Sequence, residues 1–430
     1  MWWAPPAPAT TALSPTVTAH REAEGAVAFA GVVAFTIILL LSPQNWVPAL
    51  KPLRIAFLAA GLAAVSFLWE RWKDRKALGL TREILTCFAL LAWAFLTVPI
   101  SFWPGGSVAT LTDLYIKAVI VFWLLSNVIT TRRRLKTLAV VLMSCTLPLA
   151  VTGVKNFVTG TFIGEVDVAR IAGYDAGLSA NPNDLALMLN LLLPLTIATF
   201  LNSGRVAVRA LCVGLIGINV VAVIVTFSRA GFLGLITIGA VYFIRMSQRA
   251  GRERGWAIAA IVAAAMALPL LPSSYIERVS TVTSIDSDVT GSSQIRWRDT
   301  IAAARFVMQH PIIGAGVGMD VLALNQVRGE SWYRVHNVYL QYAVDLGVPG
   351  IVLFLILFYG VFRAATASRR RLAVVPELRD LFLLSEAVQV SLIAFAVSGF
   401  FYPVAYHFYF YYMGGLALAA RSVTDRLLRK

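Results

Sequence analysis

The sequence is short of charge, of cysteine and of metal-ligating clusters. Charged residues make up 14% of its 430 positions and apolar ones 58%, against about 25% and 45–50% in a typical soluble domain. That imbalance excludes a soluble enzyme core as the main architecture. The apolar content also excludes a disordered chain. The three cysteines, Cys87, Cys145 and Cys212, all lie inside apolar runs, which argues against a disulfide framework and for small buried hydrophobes. No His/Cys/carboxylate cluster stands at ligand spacing. The carboxylates Asp286, Asp288, Asp299, Asp320 and Glu330 are scattered, so no metal site and no cofactor are expected. A Gly-x-Ser-x-Gly elbow is missing too. Gly314-Ala315-Gly316-Val317-Gly318 has neither a strand before it nor a GKS/T after it, so it reads as a tight loop and not as a nucleotide cradle. Residues 1–25 have no apolar core, and a signal peptide is not expected there.

What the chain does have is long apolar runs. They fall at 26–42, 53–69, 83–100, 108–130, 137–158, 182–201, 210–227, 230–245, 256–271, 349–366, 381–400 and 402–420. A spanning helix needs about 20 such residues, so the expected fold is an all-α integral membrane protein with about 12 transmembrane helices. An even number puts both termini on one side. With a cytoplasmic N-terminus, most of the 37 Lys and Arg fall in the short cytoplasmic connections and the C-terminal tail, as the positive-inside rule requires. The formal net charge of +15 is thereby a topology signal and not a nucleic-acid footprint.

Two outer connections are long, at 159–181 and 272–348, and such loops are usually functional. The expected organisation is a tail (1–25), nine spans (26–271) interrupted by the first loop, a loop domain (272–348), three spans (349–420) and a tail (421–430). Within the loop domain, Ser293–Gln309 reads as an amphipathic helix with Trp297, Ile301, Ala304 and Met308 on its apolar face.

The informative cations are those that the topology rule does not explain. Arg170 lies in the first loop. Arg229 lies in the turn Ser228-Arg229-Ala230-Gly231, before a span of only about 15 apolar residues, so the turn is expected to dip below the outer surface. Six arginines and no lysine occupy the second loop, among them Arg296, Arg298, Arg328 and Arg334. Arginine grips phosphate through a planar fork, although the same residues suit anionic headgroups. Asn181-Pro182-Asn183-Asp184 is a helix start. Of the four histidines, His20 is in the tail, His310 precedes Pro311, and His407 sits among tyrosines. His336 stands apart. It opens a short helix (337–346) at the outer surface, ahead of Gly347 and Pro349, and a neutral imidazole there suits a general base.

The stretch His336-Asn337-x-Tyr339-Leu340, with Asp345, Gly347 and Gly350 following, resembles the signature of the O-antigen ligase and polymerase superfamily. Asp345 stands where that family usually has Glu. Ser228-Arg229-Ala230-Gly231, the Arg170…Asn181-Pro182-Asn183 segment and Arg296…His310-Pro311…Gly314-x-Gly316-x-Gly318 match as well, in order. The resemblance implies a GT-C-like, metal-independent glycosyltransferase of a bacterial inner membrane, working on the periplasmic side. Its donor would be a glycan on undecaprenyl diphosphate, and its acceptor, in the ligases, a lipid A–core sugar. His336 is then expected to act as the base of a direct inverting attack. Arg229, Arg296 and Arg170 would hold the diphosphate, with Asn337, Asn181, Asn183, Asp345 and Arg298 in support. A polymerase or a transferase to protein would share these motifs. From another class, a twelve-span transporter or flippase remains open. Asp113, Lys117 and Glu386 are its best polar candidates within the spans, where such a protein would show polar or broken helices.

Overall fold

The computed structural model describes residues 25–163, 170–171, 173, 178–249, 251–267, 269, 292–329 and 331–429. It is a helical bundle. In chain order the helices are α1 (Ala26–Leu41), α2 (Ile55–Lys73), α3 (Arg82–Thr97), α4 (Pro104–Val128), α5 (Arg132–Val158), α6 (Pro182–Asn202), α7 (Val206–Val225), α8 (Arg229–Ser247), α9 (Arg252–Ala267), α10 (Ser292–Gln309), α11 (Asp320–Arg328), α12 (Val338–Leu372), α13 (Arg379–Ser398) and α14 (Phe408–Leu428). Phe162–Ile163 and Arg170–Ile171 form one short antiparallel pair. Among the described residues nine helices are long and apolar enough to cross a membrane, and α1 is a shorter apolar helix. This is a multi-pass membrane protein. The expected runs at 256–271 and 402–420 fall on α9 and α14, which are not among those nine.

Several helices start where a polar side chain satisfies otherwise unpaired amides. Thr131 caps α5, Asn181 caps α6, Ser228 caps α8 and Asn337 caps α12. Each such cap contributes about 1 kcal/mol. α6 and α13 form the buried centre, joined by a hydrogen bond of 2.7 Å from the Ser391 hydroxyl to the Leu191 carbonyl. Charge is tied together at one end of the bundle. Glu386 takes Arg245, Arg249 and Arg369, while Asp380 takes Arg132 and Lys136. Asp380 begins α13, and its other end, at Gly399, accepts a hydrogen bond of 2.7 Å from Val338 N–H. The basic end and the His336 end are therefore opposite ends of the same helix.

One expectation needs correction. α8 runs 19 residues, Arg229–Ser247, or about 28 Å at about 1.5 Å per residue. It continues past the apolar run through Arg245, so the helix itself is long enough to cross a membrane. α10 forms as expected, with its apolar stripe outward and a different face packed inward. Trp297, Ile301 and Met308 are exposed, while Asp299, Ala302, Ala303 and Phe306 are buried. The inward face is narrow because it packs on α11 and on the chain before α12, where Ala315, Met319, Ala323, Leu324, Val335 and Val344 complete a separate small core.

Candidate functional site

His336 stands just before the Asn337 cap of α12. The Asn337 side chain accepts from Tyr339 N–H at 2.9 Å and Leu340 N–H at 3.1 Å, which fixes the direction in which the chain enters the helix. Nδ1 of His336 is 2.9 Å from the carbonyl of Arg334. A carbonyl only accepts, so Nδ1 carries the proton and the neutral ring presents Nε2 with its lone pair. Burial, with the Arg296 guanidinium nearby, holds the imidazole down at about 4. The ring is neutral throughout the physiological range.

The segment leading to His336 is held by groups that the sequence did not single out for this role. Asp320, fully buried at the start of α11, accepts from Val335 N–H at 2.9 Å. Burial pushes its carboxyl up, against the pull of Arg334 and of that amide. Arg328 forms an ion pair with Asp299 of α10, and both side chains are buried to within 2%. The same guanidinium donates to the carbonyls of Ser331 at 3.1 Å and Tyr333 at 2.7 Å. Arg328 is thus an internal clasp and does not join a set of arginines open to phosphate. Arg334 lies near both Asp320 and His407, and burial with Arg334 alongside lowers His407 to about 4.

Asp345 serves the glycine loop. Its carboxylate accepts from Gly318 N–H at 2.9 Å. Ala315 N–H and Gly316 N–H donate to the carbonyls of Val344 and Asp345, each at 2.8 Å, and Trp93 Nε1 donates to that of Leu346 at 2.8 Å. α12 breaks at Gly347 (φ 68°), and those three carbonyls find their partners outside the helix, as buried backbone must. Gly316 (φ 97°) sits so tightly on Ser101 that a Cβ would collide with it. The loop is tight, as expected, and it braces the kink.

The second group of motifs meets at the turn before α8. The Ser228 hydroxyl donates to Asn183 Oδ1 at 2.8 Å, lies 3.3 Å from the Tyr402 hydroxyl and accepts from Gly231 N–H at 3.1 Å. Asn181 accepts from the amides of Asn183 and Asp184, at 2.9 and 3.0 Å. Tyr409 reaches the carbonyl of Leu178 at 2.6 Å. The 399–409 connection therefore touches both groups, through Gly399 to Val338 and through Tyr402 to Ser228.

The structure thus brings His336, Asn337 and Arg296 together. It sets Asn181, Asn183 and the half-buried Arg229 around Ser228, at the same end of the bundle. Arg298 is exposed on α10. Arg170 contributes backbone pairing to Ile163, and its side chain lies outside the described residues. Asp320, Arg328 and Tyr402 act through pairings 15, 29 and 174 residues apart in sequence. The only local hint was an acidic residue at a helix start, in the case of Asp320.

The fold and the site together define a multi-pass membrane protein that carries a histidine and arginines on a loop unit at one end of its helices. Residues 214–355 match the family model described as O-antigen ligase. This match holds Ser228–Gly231, Arg296 and His336, and it supports the resemblance to the O-antigen ligase and polymerase superfamily and, with it, a glycosyltransferase-like activity. Residues 26–180 match a family of unknown function. No curated protein matches the chain significantly.

Proposed function

We propose that the protein is an O-antigen ligase, which transfers a glycan from undecaprenyl diphosphate to a lipid A–core sugar at the periplasmic face of a bacterial inner membrane. The observation that carries this reading is the His336 geometry. The ring is neutral, its Nδ1 proton is committed to the Arg334 carbonyl, and an unprotonated Nε2 is left to accept a proton, with Arg296 near the ring. In the transfer step the acceptor oxygen forms a bond to the anomeric carbon and gives its proton to Nε2. The bond from that carbon to the phosphate oxygen breaks, and undecaprenyl diphosphate departs with the electron pair. Direct attack inverts the anomeric centre. The leaving group needs charge stabilisation more than protonation. Arg296 and Arg229 supply it, with Arg170 the third expected contributor and Arg298 on the outer wall. Topology supports the sidedness, because the basic ends lie opposite His336.

A reconstituted assay tests the reading. Purified protein receives glycan on undecaprenyl diphosphate with or without lipid A–core, and no metal is added. A ligase forms product only with lipid A–core. Longer glycan on the donor lipid in the absence of that acceptor makes the protein a polymerase instead. Transfer to a polypeptide makes it a protein transferase, and movement of the donor without transfer makes it a flippase.

The low proton affinity of His336 also makes a prediction about pH. In the free enzyme the acid limb of kcat/KM is expected near pH 4 and not near 6.5. Donor binding brings diphosphate charge beside Arg296, offsets its repulsion of the imidazolium and raises the imidazole's proton affinity. The acid limb of kcat is therefore expected at higher pH than that of kcat/KM, and Arg296→Gln should move the kcat/KM limb upward. Coincident limbs that do not respond to Arg296→Gln would remove His336 from the base role. Folding linkage follows the same sign. The lowered group binds fewer protons folded than unfolded, so its contribution to stability is present above about pH 6.5 and is lost as pH falls toward 4.

A further inference from the structure

At the end of the bundle opposite His336 lies a cavity of about 1150 Å³ between α2, α5 and the C-terminal turns of α14. Among the described residues Arg71, Lys76, Arg133, Arg134, Arg426 and Arg429 line it, with Glu70 on its wall and Asp74 paired to Lys76 at 3.1 Å. Arg132 and Lys136 also reach the wall, but Asp380 engages both. Arg134 is 6% exposed and is fixed by bonds to the Val128 carbonyl at 3.1 Å and the Thr130 hydroxyl at 3.3 Å, with its guanidinium over the Phe29 ring. The floor is apolar, made by Phe67, Val140, Val141 and Val423.

The positive-inside rule accounts for basic connections. It does not account for their convergence on a concavity, since like charges gathered in a recess repel one another more strongly than on an open surface. The amino end of α5, with Thr131 as its cap, opens on the same recess and adds the positive pole of a long helix. Guanidinium forks over an apolar floor match an anionic head attached to hydrocarbon. Basic pockets between membrane helices recognise lipid phosphate in this way.

We infer that this cavity is a binding site for a phosphate-bearing anion, held by Arg133, Arg426 and Arg429 at the rim, with its apolar part on the Phe67–Val140 floor. The site does not depend on the glycan-transfer reading. Native mass spectrometry of the full chain tests it, using titration with phosphatidylglycerol or cardiolipin and, separately, with inorganic diphosphate. The rim variant is Arg133→Gln/Arg426→Gln/Arg429→Gln. The control, Arg205→Gln/Arg363→Gln/Arg370→Gln, removes the same charge outside the cavity, and thermal unfolding verifies that both fold. The rim variant is expected to bind anionic lipid about tenfold more weakly or worse, with the control unchanged. Val140→Trp, which fills the floor and keeps every charge, should weaken lipid binding as well. Diphosphate binding that is lost in the rim variant alone, with no lipid preference, would keep the site and assign it a soluble phosphate. Equal losses in the rim and control variants, or no loss in either, would overturn it and leave only a diffuse basic belt.

Discussion

Replacing His336 with alanine is expected to lower glycan transfer by about 10²–10⁴-fold, the range that a positioned general base supplies. The variant should fold. His336 is half-buried, its side chain bonds to the carbonyl only two residues back, and the helix after it is started by Asn337. The loss should appear in kcat, with donor binding close to that of the unchanged protein, because the arginines remain. His336→Gln restores a donor to the Arg334 carbonyl but no proton acceptor of comparable strength, so it should not rescue transfer. A His336→Ala protein that transfers glycan at the normal rate would place the base elsewhere. His407, also lowered to about 4 and next to Arg334, would be the first residue to test.

The second large effect is expected from Arg328→Met. It strands the buried Asp299 carboxylate, and breaking one side of such a pair costs about 3–5 kcal/mol. That cost falls on the small core shared by α10, α11 and the start of α12, so the unit that carries Arg296 and His336 should loosen while the main bundle stays folded. Hydrogen exchange across residues 292–340 should rise sharply, with little change in α6 or α13, and transfer should fall. The double variant Asp299→Leu/Arg328→Met removes the stranded charge and should recover most of the protection. Activity should recover less, because the carbonyls of Ser331 and Tyr333 also lose their donor. Exchange unchanged in Arg328→Met would show that the clasp does not hold the unit.

Much of this arrangement is legible in the sequence because it is local. Asn181 and Asn337 cap the helices that follow them, Gly347 breaks α12, and Gly314–Gly318 makes a tight loop. Each of these follows from one residue and its neighbours. The inward face of α10 was not legible, since Trp297, Ile301 and Met308 form as regular a stripe as the residues that are buried. Only the packing of α11 decides between the two. The second role of Ser228 was hidden for a related reason. A serine at a turn reads as a cap, and its bonds to Asn183 and Tyr402 need two other segments to be in place. Asp345 shows the same limit, because its position on the helix suggested support for His336, while its carboxylate turns to Gly318.

The reach of the 399–409 connection has a consequence for biogenesis. Val338 is bonded to Gly399, Ser228 to Tyr402 and Leu178 to Tyr409, so residues made late in translation close contacts opened by residues made much earlier. A chain arrested after α12 carries His336, every arginine of the site and the Asp320 and Arg328 pairings, yet lacks the bonds to Gly399, Tyr402 and Tyr409. Under the proposed function, competence is expected only after α13 and α14 have been inserted, so that a partly inserted chain would not spend lipid-linked donor before its membrane topology is complete.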